Sequence, residues 1–183
     1  MASAPFKTLS KRLLEIDEIL DARDAVCPPG AGRPAKRKGA AVLAGGTVLL
    51  SALFEGYIED LYDLSVDTLY SGHPAADRNK LKEFTSEKNN NANVHQVNTL
   101  FFYLGVPWAM NHTKIHWQKF SNASVRKRLG ELSQARNKIA HGASHTVRKY
   151  RLKSWREFIL KLAEKLDEIA ADRIQEVNGT RPW

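Results

Sequence analysis

Three residues near the end of one amphipathic segment have the types and spacing to do chemistry together: Arg136, Asn137 and His141, in the run Ala135-Arg136-Asn137-Lys138-Ile139-Ala140-His141-Gly142. An imidazole takes and gives a proton near neutral pH. A guanidinium grips two phosphoryl oxygens at once and stabilises the charge that builds on them. The Asn137 carboxamide can donate to a phosphate or orient the imidazole. On a regular helix Asn137 and His141, four apart, share a face. Arg136 and His141, five apart, diverge by about 140°. A complete site then needs either a second copy of the chain or a helix end that frays. A structural role fits the same residues, because Arg and His in a last turn complement the helix dipole and Gly142 then merely caps.

The helix that must position them starts near Ser121 or Ser124, either a good N-cap. Val125, Leu129, Leu132, Ala135 and Ile139 form its apolar side, and Gly142 ends it. Four further helical segments are expected around it. Leu9, Leu13, Ile16 and Leu20 mark a first helix over about Thr8 to Val26. A second, about Ala40 to Tyr70, carries Leu43, Leu50, Phe54, Tyr57, Leu61 and Leu64, with Gly45-Gly46 as a kink or a close approach. A third covers Val94 to Leu104, and a last runs from Leu152 to Val177 with Trp155, Phe158, Ile159, Leu162, Leu166 and Ile169 on one face. A short helix over Asp77–Glu87 and an Asn-rich stretch, Lys88 to Asn93, lie between, and Trp108 to Lys119 is loop or short helix. Residues 27–39, rich in Pro, Gly and basic side chains, are expected as a loop, and 178–183 as a frayed tail. No strand pairs and no internal repeat appear. The pattern predicts one all-α domain over 1–183, an antiparallel bundle of about four to five main helices.

Other groups with chemical potential are weaker. Glu55 and Glu59 share a helix face; they can orient Arg136 or His141 across the bundle, or be a solvated or salt-bridged surface. His112 and His116 have a metal-pair spacing but no third ligand, so no metal site and no cofactor is expected. There is no glycine-rich phosphate loop. Cys27, the one cysteine, can form no internal disulfide and suggests a reducing, cytoplasmic setting. The N-terminus has no signal-peptide core, and the apolar stretch Ala40 to Phe54 is short of the ~20 residues of a membrane span, so a buried helix and no membrane partner are expected. The net charge of +8 and pI of 9.6 favour a polyanionic partner. Arg126, Lys127, Arg128 and Lys138 can line a basic groove towards His141. The Arg33–Lys38 run is a solvated linker, a nucleic-acid arm or a targeting signal.

The Arg-x4-His spacing with Asn directly after the Arg resembles the signature of the HEPN superfamily. The flanks RNKIAHG are similar to stand-alone prokaryotic HEPN proteins, including those called RiboL-PSP-HEPN. Phe54 to Leu61, FEGYIEDL, resembles the earlier helix of that group, and the helix order matches over roughly Thr8 to Val177. The resemblance implies a HEPN-like helical bundle that forms a homodimer, with two Arg–His sets facing each other near a two-fold axis. It implies metal-independent cleavage of RNA by its own 2′-OH, leaving 2′,3′-cyclic phosphate and 5′-hydroxyl ends. His141 would be the general acid/base, Arg136 the electrophilic clamp and Asn137 an assistant. The implied context is a toxin or antiviral effector, with an antitoxin or regulatory protein as a further partner. The alternative is an inactive HEPN module that binds RNA, a nucleotide or a partner protein.

Overall fold

A computed structural model describes residues 1–86, 93–118, 120–143 and 146–183, with the backbone alone at 84–86. Its helices are α1 (Ala4–Arg12), α2 (Leu14–Val26), α3 (Arg33–Leu69), α4 (Ala75–Ser86), α5 (Val94–Tyr103), α6 (Asn122–Ala140) and α7 (Lys149–Asn178), with a 3-10 turn at Ala109–Asn111. No strand occurs among the described residues, so the chain is the all-α bundle its periodicity predicts. The Asn-rich stretch at 88–92, Lys119 and His145 lie outside the described residues.

The first expected helix is two. At Leu13 one bond slips to the shorter i→i+3 form, Ile16 N donating to the Leu13 carbonyl at 3.2 Å, and the chain continues as α2. The expected loop at 27–39 is corrected: α3 begins at Arg33. Pro34 sits in its first turn, where the missing N–H would have no partner anyway, and Lys36, Arg37 and Lys38 are good helix formers. The tail is not frayed. Gly179 closes α7 with φ 76, Arg181 pairs with Asp172 at 2.8 Å, and Trp183 packs against the core.

α3 is the axis of the bundle. By length and composition it is apolar enough to cross a membrane, yet α1, α2, α6 and α7 all pack on it and half of its most apolar stretch is buried. α2 returns along α3, with Cys27 against Gly39 and Ile19 against Gly46. α6 and α7 run antiparallel through Arg128 to Ser154 and Glu131 to Arg151. α3 and α7 themselves run parallel: Gly46 meets Leu152, the Tyr57 hydroxyl donates to the Ala163 carbonyl at 2.7 Å, and Asn178 donates to the Thr68 carbonyl at 3.0 Å.

Gly46 makes that pairing possible. A Cβ there would lie 2.8 Å from Ile19 Cγ2 and 2.9 Å from Leu152 Cδ2, so the α2–α3–α7 junction closes only on a glycine. Gly45, its neighbour, has nothing within 4 Å of a Cβ. The close-approach reading of the Gly45-Gly46 pair therefore holds for Gly46 alone.

Candidate active site at the end of α6

α6 is built by strong terminal signals. The Ser121 hydroxyl accepts from Ser124 N at 3.3 Å and caps its start. At the other end Ala143 N donates to the Lys138 carbonyl at 2.9 Å and Gly142 N to the Ile139 carbonyl at 3.1 Å, with Gly142 at φ 72. This is a Schellman closure, and it needs the left-handed residue that glycine supplies. Val125, Leu129, Leu132, Ser133 and Ala135 are buried on one face.

Arg136 follows Leu129 and Leu132 on that face and is half-buried. His141 is the C-cap, at φ −90 and ψ 12, and is exposed. Its backbone N–H still donates to the Asn137 carbonyl at 3.0 Å, so the helix stays regular through its last turn. The frayed end that could swing His141 back towards Arg136 is therefore not formed. Within one chain the two residues therefore leave the helix in directions roughly 140° apart. The Arg136 Nη1 group donates to Asn137 Oδ1 at 3.2 Å.

Across the α3–α6 contact stands Glu55. Burial pushes its carboxyl pKa up, and the Arg136 guanidinium draws it part of the way back. Glu59, one turn on, is also raised, by burial first and then by Glu55, Asp60 and Asp63. Of the two, Glu55 is the one that feels Arg136; Glu59 belongs to an acidic ladder along α3.

The expected basic groove is redistributed. Lys127 and Lys138 are exposed. Arg126 is half-buried and donates to Asn111 Oδ1, holding the 3-10 turn. Arg128 donates to the Ser154 hydroxyl and lies 3.9 Å from Glu131, and burial lowers its pKa. Arg126 and Arg128 are thus each engaged by the protein itself, through one terminal nitrogen. Lys138 instead lines a cleft of about 290 Å³ between α6 and the start of α7, together with Arg148, Tyr150, Arg151 and Trp155. Sequence reasoning missed this cleft. Its signal is the run Val147-Arg148-Lys149-Tyr150-Arg151-Leu152-Lys153-Ser154-Trp155-Arg156, where cations and aromatics interleave.

His112 and His116 do not form a helical pair. His112 Nδ1 accepts from Lys114 N at 3.2 Å in a turn, and His116 Nδ1 contacts the Thr113 carbonyl. Among the described residues no three His, Cys, Asp or Glu side chains are grouped to hold a metal ion.

The fold and the helix-end Arg–His arrangement define an all-α HEPN-like domain. The family model described as RiboL-PSP-HEPN matches residues 7–172, and the chain belongs to that family. No curated protein and no solved structure matches the chain.

Proposed function

We propose that the protein is a metal-independent endoribonuclease whose site is completed by a second copy of the chain. The observation that carries this reading is the divergence of Arg136 and His141 on a helix that is regular and firmly closed. One chain offers an exposed imidazole with Asn137 on the same face, and an arginine that leaves the helix roughly 140° away from that imidazole and is engaged by Asn137. A two-fold axis near His141 supplies the missing set from the partner.

In the proposed reaction the RNA 2′-OH attacks the adjacent phosphorus. His141 takes the proton from the hydroxyl, and a protonated imidazole returns one to the departing 5′ oxygen. The guanidinium neutralises the charge building on the phosphoryl oxygens, and the Asn137 NH₂ donates to the same group. The products are a 2′,3′-cyclic phosphate and a 5′-hydroxyl. The protein would act in the cytoplasm as a toxin or antiviral effector, held in check by an antitoxin or regulatory protein.

A second reading has one observation behind it: Arg136 is engaged by Asn137 and lies in the field of Glu55. An Arg spent on its own fold suits a HEPN module that binds RNA, a nucleotide or a protein without cutting. Incubating the protein with RNA in the presence of a chelator separates the two. The nuclease reading expects cleavage with cyclic-phosphate ends, and none at a 2′-deoxy position. Intact RNA under all conditions favours the binding module.

A further inference from the structure

The cleft between α6 and α7 has a composition that its own fold does not explain. α7 is a helix of 30 residues, and its N-cap, Arg148, gives no side-chain cap. No acidic residue stands in its first turn. The positive end of the helix dipole is instead surrounded by Arg148, Lys149 and Arg151, a placement that costs stability unless an anion offsets it. Lys149 is answered by Asp24. The one carboxylate in the cleft wall, Glu131, is shared by Arg151 at 3.3 Å and Arg128 at 3.9 Å. Lys138 and Arg148 have no carboxylate among the described residues.

A second observation is independent of the charges. Trp155 lines the same cleft and is 2% exposed, yet its indole Nε1–H has no acceptor among the described residues. A buried, unpaired donor costs free energy that a bound acceptor would recover. Arg151 lies over the Trp155 ring, 5.4 Å from its centroid, and Tyr150 stands at the rim, 63% exposed. Cations and an exposed aromatic side chain thus line one cavity, with the buried indole of Trp155 in its wall.

We infer that this cleft binds one nucleotide of a single-stranded RNA, its phosphate held by Arg148, Lys138 and the start of α7 and its base stacked on Tyr150. The ligand class follows from the chemistry: a phosphate alone has no use for Tyr150, and an acidic peptide has no planar base to stack. The inference rests on the reading of RNA as the substrate. Lys138 lies three residues before His141, so a strand seated here leads to the exposed imidazole. The cleft would hold the strand while the helix end acts on it.

The test uses a fluorescein-labelled single-stranded RNA with 2′-O-methyl riboses, which cannot be cut, in anisotropy titrations over a range of salt. Cleavage of the unmodified RNA by the wild type is followed alongside. Arg148→Ala should weaken binding about tenfold and reduce the salt slope by about one. Tyr150→Ala should weaken it about tenfold with the slope unchanged. Both side chains are exposed, so the fold should survive either change. Lys80→Ala, an exposed cation on α4, should leave the affinity as it was. If Arg148→Ala and Tyr150→Ala bind like the wild type, or Lys80→Ala weakens binding equally, the cleft is not the site, and cleavage by the wild type would leave the nuclease reading standing. If the cleft variants lose affinity while the wild type cuts nothing, the cleft stands and the nuclease reading falls. A wild type that does not bind the RNA overturns the cleft.

Discussion

Glu55 on α3 and Arg136 on α6 face each other across the bundle, where burial raises the Glu55 carboxyl pKa and the guanidinium opposes the rise. The field of Arg136 thus reaches an acid of the central helix. Arg136 is thereby both a candidate for binding a phosphoryl group and the counter-charge of a half-buried acid. Any substrate that draws on the guanidinium competes with Glu55 for it.

The pair makes stability depend on pH with a definite sign. Burial raises the folded pKa of Glu55 above its unfolded value, so the native state holds that proton more tightly. Ionised Glu55 therefore costs stability above its folded pKa, and the cost fades as pH falls through it. Arg136 offsets the cost only while the carboxylate is charged. Arg136→Ala should lose stability at about pH 7 and lose less near about pH 4, where an ordinary Glu is half-protonated. In a Glu55→Gln background the loss should be the same at both. Urea midpoints at the two pH values check this; an Arg136→Ala loss that ignores pH in the parent background would contradict it.

The two adjacent glycines of α3 should respond in opposite directions. Gly46→Ala places a Cβ against Ile19 and Leu152 and should cost about 1–3 kcal/mol of overpacking. Gly45→Ala meets nothing and should gain about 0.5–1 kcal/mol from better helix propensity. Denaturant unfolding of the two variants reads both; equal effects would mean the α2–α3–α7 junction is not as tight as its contacts.

Much of this arrangement was legible before the fold. Ser121 and Gly142 bracket α6 in the sequence because capping is local chemistry, and the divergence of Arg136 and His141 follows from the helical period alone. The start of α3 was not legible, because Pro34 reads as a loop residue unless its place in a first turn is known. The parallel run of α3 beside α7 depends on Gly46 and Tyr57 meeting Leu152 and Ala163, contacts separated by about a hundred residues. Arg126 and Arg128 read as surface cations because nothing local reveals Asn111 or Ser154 as their acceptors. Trp155 reads as one more residue of an apolar stripe, and the cations and aromatics interleaved around it form a cleft only once α6 packs against the start of α7.

A site shared between copies should be rescued by mixing. Arg136→Ala keeps His141, and His141→Ala keeps Arg136, so a dimer of one with the other retains one complete set. Co-expressed variants, purified as the mixed dimer, should cut RNA well above the level of either alone. Light scattering should give the mass of two chains. A mixed sample no more active than its parts would place Arg136 and His141 in the same chain's site.

The most direct measurement is one assay of RNA cleavage by wild type, Arg136→Ala and His141→Ala, with thermal melts run beside it. Loss of the imidazole should cost about 10²–10⁴-fold in rate, the usual contribution of general acid/base catalysis. Loss of the guanidinium should cost a similar factor through lost charge stabilisation. His141 is exposed, so the His141→Ala melt should match the wild type. The account predicts that the wild type cuts RNA in the presence of EDTA and that both variants, still folded, are slowed by these factors. Folded variants that cut as fast as the wild type would contradict it.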